Sequence, residues 1–228
     1  MSSIQIASFA GDGVLGDGGD GGQWNLCWGS QLIHRFLLPG LKPESRVLDL
    51  CSGWGRASLC FALHGSHLTL VDHDPSIVQE ADEFSSGLTD HTHWVITDAS
   101  EYLAHAVHPF DRIVLLDGTV HCLKRQNIET ISRACELLAP GGIIYVDGPS
   151  SQDSHFEYFR DHYDPVDVDT FEDLCGCSGD IKLEPFCFFH PGELPLLLLQ
   201  RGLEIIYQES AVCEWQTLKS IAIGRKPL

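Results

Sequence analysis

The chain has 228 residues, 43% of them hydrophobic, enough for one globular domain with a substantial core and too apolar for a disordered chain. Its formal charge of -18 repels a phosphate backbone, so no nucleic-acid partner is expected. No apolar run approaches the roughly 20 residues of a membrane span, and the N-terminus lacks the pattern of a signal peptide, so neither a membrane partner nor export is expected.

Residues 11–22, GDGVLGDGGDGG, are mostly Gly and Asp and predict a flexible arm over residues 1–22. The rest, 23–228, reads as one domain. Trp24, Leu26, Cys27, Leu32, Phe36 and Leu37 recur at helical spacing until Pro39-Gly40 stops them. Strands and helices then alternate. Strands are predicted at 46–50, 67–71, 92–96, 111–116 and 143–146. Helices are predicted at 56–63, 75–84, 99–106 and 123–138, the second capped by Asp74 with Pro75 in its first turn. This alternation, with continuous apolar strands, points to a doubly wound α/β fold.

Residues 149–190 break the rhythm. Their first half is acidic, and Phe156, Tyr158, Phe159 and Tyr163 are interleaved, which suits an amphipathic, lid-like helical insert. A helix at 191–200 and two strands at 203–208 and 219–224 close the chain. No helix fits between those two strands, so they should pair antiparallel. Nine cysteines at irregular spacing are read as reduced thiols of a cytoplasmic protein. Cys175 and Cys177, with Cys187 and Cys213 further on, lack zinc spacing, and no metal is expected.

The first strand, Val47-Leu48-Asp49-Leu50, runs into Cys51-Ser52-Gly53-Trp54-Gly55. In an open parallel sheet ligands bind beyond the strands' carboxyl ends. Glycines there let the backbone approach a ligand, and the next helix offers N–H groups. A dinucleotide fingerprint would need a glycine where the chain has Ser58. Asp49 would oppose a pyrophosphate but suits a ligand carrying positive charge.

On these residues the chain resembles the class I S-adenosylmethionine-dependent methyltransferases, whose first motif is hydrophobic-Leu-Asp-hydrophobic-Gly-x-Gly-x-Gly. Cys51 replaces the first glycine. LTLVDHDPS, VITDAS, FDRIVLLDGTVHCL and LLAPGGIIYVDG are similar to later motifs, in the family's order, so that the similarity runs from Trp24 to Lys226 apart from the insert. The resemblance implies a Rossmann-like, mostly parallel seven-stranded sheet with an antiparallel last strand. It also implies S-adenosyl-L-methionine as cofactor and methyl transfer to a small-molecule acceptor.

Carried over residue by residue, Asp49, Cys51, Gly53 and Gly55 line the cofactor turn. Asp72, with His73 beside it, takes the ribose hydroxyls. Asp98 and Ala99 meet the adenine, and Asp117 borders the cofactor. Trp24 and Trp28 are read as covering it, by cation-π attraction to the sulfonium, or else as core. His121 and Asp117, in the loop after the fourth strand, are the candidate bases. Two alternatives are kept: a protein of the same fold that binds the cofactor without methyl transfer, as a cyclase or binding module, and a nicotinamide-dependent oxidoreductase. A homodimer is left open.

Overall fold

The computed structural model describes residues 28–55, 57–85, 91–120, 122–167, 169–177, 180–212 and 217–228. The Gly/Asp-rich stretch, Trp24, His121 and Cys213 lie outside the described residues. In chain order the elements are α1 (Trp28–Phe36), β1 (Arg46–Leu50), α2 (Leu59–Leu63), β2 (His67–Asp72), α3 (Pro75–Ser85), β3 (Thr92–Ile96), α4 (Ala99–His105), β4 (Phe110–Leu115), α5 (Lys124–Glu136), β5 (Leu138–Pro149), α6 (Ser154–His162), β6 (Pro165–Asp167), β7 (Thr170–Cys177), β8 (Asp180–Cys187), α7 (Glu193–Gln200), β9 (Glu204–Val212) and β10 (Leu218–Arg225).

Seven strands form one sheet in the order β3-β2-β1-β4-β5-β10-β9. β3, β2, β1, β4 and β5 are parallel neighbours. β10 is antiparallel to both β5 and β9. The order reverses at β1 and β4, so their carboxyl ends flank the topological switch point.

Side chains alternate across the central strands. Leu48, Leu50, Ile113, Leu115, Ile144 and Val146 pack with α4, α5 and α7 through Leu103, Ile131 and Leu198. Val47, Val114, Ile143, Tyr145, Ile221 and Ile223 pack with α1 and α2 through Leu32, Ile33 and Phe61. Covering both faces keeps these strands apolar, each fully buried large side chain contributing about 1.5–3 kcal/mol.

Three departures from the predicted elements matter most. α2 begins at Leu59, three residues late, because the turn after β1 continues through Ser58. β5 runs from Leu138 to Pro149, well beyond the predicted span, and takes Pro140-Gly141-Gly142 into a register shift opposite β4. There Gly141 has φ +76°, and a Cβ on Gly142 would stand 2.8 Å from the Ala139 carbonyl oxygen. The insert is more than the predicted helical cover: α6 packs on a three-stranded antiparallel sheet, β6-β7-β8. Phe159, Phe171 and Phe188 form the core between them, with Phe156, Tyr163 and Phe186 around it. No helix among the described residues is long and apolar enough to cross a membrane.

Candidate functional site

Asp49 lies in the middle of the sheet and is 3% exposed. A buried carboxylate needs a donor, and Ser58, itself fully buried, donates its hydroxyl to Asp49 Oδ2 at 2.5 Å. The serine that departs from the dinucleotide fingerprint is therefore the partner of the strand's aspartate. Between them the chain turns through three left-handed residues, Cys51 (φ 55°), Gly53 (φ 50°) and Gly55 (φ 68°). The two glycines have different reasons. A Cβ on Gly55 would stand 2.7 Å from Leu70 Cδ2. Gly53 has nothing within 4 Å of where its Cβ would be, so it opens on free space. The helix N–H groups expected to face a ligand are taken within the turn: Ser58 and Leu59 donate to the Gly55 carbonyl at 3.0 and 3.1 Å.

Asp72 ends β2, the strand beside β1, and is 7% exposed. Its Oδ2 accepts from the Gly53 N–H at 2.8 Å and its Oδ1 from the Asp74 N–H at 3.0 Å. The second strand's acid is thus tied to the open glycine of the first turn, and each carboxylate oxygen has a second lone pair for a further donor. His73 Nδ1 lies 3.7 Å from Asp72 Oδ1 with the ring 82% exposed. Asp98 follows β3 and caps α4, its Oδ1 accepting from the Ser100 N–H (2.7 Å) and hydroxyl (2.5 Å). That hydroxyl holds the Asp98 carboxyl below the usual range. Ala99, the first residue of α4, is 9% exposed.

These carboxylates converge. Burial raises the Cys51 thiol's pKa, and Cys122, Asp72, Asp49 and Asp98 raise it further by their negative charge. The turn after β1 therefore sits in a negative field with open space at Gly53. That combination fits a ligand with a sulfonium, an ammonium and a vicinal diol, and it opposes one with a pyrophosphate.

The loop after β4 abuts this turn. A Cβ on Gly118 would stand 2.8 Å from Cys51 Cβ. Its neighbour Asp117 is left-handed (φ 59°) and donates its N–H to Asp147 Oδ1 at 2.7 Å. Asp147, at the end of β5, is fully buried, and its Oδ2 accepts from the Tyr145 hydroxyl at 3.0 Å. Lys219, 4% exposed at the start of β10, pairs with Asp117 Oδ1 and lies 3.4 Å from Asp147 Oδ2. The insert meets the same loop, the Cys187 N–H donating to the Val120 carbonyl at 3.0 Å. Trp28 opens α1, on the α2 side of the sheet.

The structure thus brings Asp49, Cys51, Gly53, Gly55, Asp72, Asp98 and Asp117 to the carboxyl edge of the sheet, while Trp24 and His121 fall outside the described residues. The sequence reading passed over Asp147 and Lys219. The available signal was a charged residue in each of two apolar strand runs, YVDG and KSIAIG.

Residues 47–142 match the family model described as a methyltransferase domain. No curated protein matches the chain. Among solved structures, a S-adenosylmethionine-dependent methyltransferase from Methanosarcina mazei is 22% identical with TM-score 0.65, the match covering 86% of this chain and 97% of that one. Magnesium protoporphyrin IX methyltransferase from Synechocystis, with bound S-adenosylhomocysteine, is 14% identical with TM-score 0.63, covering 87% and 81%. The 1,6-didemethyltoxoflavin-N1-methyltransferase of Burkholderia thailandensis is 18% identical with TM-score 0.60, covering 88% and 77%. At these identities the structural likeness speaks for the fold. Motif order and a carboxylate-rimmed glycine turn agree with the match of residues 47–142 to the methyltransferase-domain model.

Proposed function

We propose that the protein transfers a methyl group from S-adenosylmethionine to a small-molecule acceptor bearing a nitrogen, oxygen or carbon nucleophile. The observation that carries this reading is the notch in which the Gly53 N–H joins the first turn to Asp72, with Asp49 and Asp98 adding negative charge around Cys51. Bound there, the cofactor supplies a methyl group already activated on a sulfonium. Asp72 would hold the ribose hydroxyls, Asp98 and the Ala99 N–H the adenine, and Asp49 the positive end. Trp24 and Trp28 are assigned to cover the cofactor.

The protein's own part is to position the reactants and exclude water. The insert, 149–190, is assigned as the cover over the acceptor, because it is joined to the loop after β4 at Val120. Asp117 and His121 are assigned to receive a proton when the acceptor must lose one. The compounds in the names of the Synechocystis and Burkholderia enzymes, magnesium protoporphyrin IX and 1,6-didemethyltoxoflavin, support the small-molecule class.

The test is incubation of the purified protein with methyl-tritiated S-adenosylmethionine and a size-fractionated cell extract. Label entering the small-molecule fraction, with S-adenosylhomocysteine in equal amount, is the expected result. Label confined to protein or nucleic acid would overturn the acceptor class. Cofactor binding with no S-adenosylhomocysteine from any fraction would favour a binding module or cyclase.

A further inference from the structure

Two carboxylates and one ammonium are gathered behind the loop after β4. Asp147 is fully buried, the Lys219 side chain is 5% exposed, and only Asp117 keeps access to its surroundings, at 31%. Three hydrogen bonds lock the geometry. The Asp117 N–H reaches Asp147 Oδ1 (2.7 Å), the Thr119 hydroxyl reaches the Asp147 carbonyl (2.8 Å), and the Asn127 amide reaches the Thr119 carbonyl (2.9 Å). A buried ion cluster adds little net stability, because desolvation offsets its attraction. What this one achieves is a carboxylate fixed in place. With both acids ionised the triad carries one net negative charge, and its exposed corner is Asp117. The next residue, Gly118, packs against Cys51 of the cofactor turn with no room for a Cβ.

We propose that Asp117, Lys219 and Asp147 form a charge triad that presents the Asp117 carboxylate to the sulfonium side of the notch, so that the protein favours the cationic methyl donor over its neutral thioether product. Lys219 and Asp147 are positioning residues in this arrangement, and Asp117 is the group that meets the ligand. The inference rests on the cofactor reading above and adds to it a means of product release. Methyl transfer removes the positive charge from sulfur, and with it the attraction to Asp117, while the contacts assigned to the ribose and adenine stay the same.

The test needs no acceptor. Isothermal titration gives the affinities of S-adenosylmethionine and S-adenosylhomocysteine for the wild-type protein and for Asp117→Asn, Asp147→Asn and Lys219→Met. The ratio of the two affinities is the readout, because a merely structural lesion weakens both ligands alike. Asp117→Asn should cut the preference for the charged ligand about tenfold, as expected for removing a unit charge at a partly buried site. Asp147→Asn should cut it by less, because the negative charge it removes lies further from the ligand. Lys219→Met, or Lys219→Gln should the first not fold, should leave the preference equal or greater. An unchanged ratio in Asp117→Asn, or parallel weakening of both ligands in all three variants, would overturn the triad while leaving the cofactor site standing. Failure of the wild-type protein to bind either ligand would instead remove the cofactor reading itself.

Discussion

Ser58, nine positions along the chain from Asp49, donates its hydroxyl to the Asp49 carboxylate at 2.5 Å and so pins the turn between them at both ends. Asp49 is set by β1, and Ser58 is the last residue before α2. Every cofactor contact proposed for Gly53 and Gly55 depends on that closure.

Ser58→Ala should therefore act twice. It leaves a buried carboxylate short of a donor, at a cost of about 1–3 kcal/mol, and it frees the turn. We expect a lower urea midpoint and weaker S-adenosylhomocysteine binding. Unchanged values of both would mean that the hydroxyl does not hold the turn.

Gly118 and Cys51 offer a double-mutant test. Gly118→Ala places a Cβ 2.8 Å from Cys51 Cβ and should destabilise by about 1–3 kcal/mol. Cys51→Gly removes that Cβ and suits the left-handed φ of 55°. Combined with Cys51→Gly, the alanine should cost much less, giving a coupling energy above about 0.5 kcal/mol. Strict additivity would show that the two loops do not touch.

Lys124 anchors the insert. Its buried ammonium bonds the Phe188 carbonyl (2.6 Å) and Glu193 (2.7 Å), lies 3.6 Å from Asp169, and stands 4.3 Å from the Phe189 ring centroid. Lys124→Met removes the cation between two acids, and the loss should be on the order of 3 kcal/mol. Faster cleavage within 150–190 by limited proteolysis, ahead of the remaining chain, is the expected sign. Uniform cleavage would show that the insert has other anchors.

Asp147 gives a pH dependence. Burial pushes its carboxyl up to about 6 from 3.8, against the pull of Lys219 and with the help of Asp117. The folded protein then holds a proton that the unfolded chain releases earlier. This stabilising contribution is full below 3.8 and is lost as the pH rises through about 6. The stability of the wild type relative to Asp147→Asn should accordingly fall between those values. Denaturant unfolding at a series of pH values measures it, and parallel curves would contradict it.

The fold was largely legible because its central strands are covered on both faces and read as mostly apolar runs, as Arg46–Leu50 shows at its predicted limits. Asp49 was legible for the opposite reason, as a charge where the pattern demands none. The β7-β8 hairpin was hidden, because Glu172 and Asp173 follow Phe171 and blur the alternation that marks a half-buried strand. The triad was hidden by distance along the chain. Lys219 meets Asp147 across 72 residues and Asp117 across 102, and only the strand order β4-β5-β10 brings them together.

One measurement bears most directly on the notch: the melting temperature of the wild-type protein and of Asp72→Ala, with and without S-adenosylhomocysteine. At a hundred times its dissociation constant the ligand should stabilise the wild type by about 2.7 kcal/mol, a rise of roughly 5–10 °C for a chain of this size. The variant, having lost the carboxylate assigned to the ribose, should show almost none. A wild-type protein indifferent to saturating ligand, or a variant shifted as far as the wild type, would contradict the account.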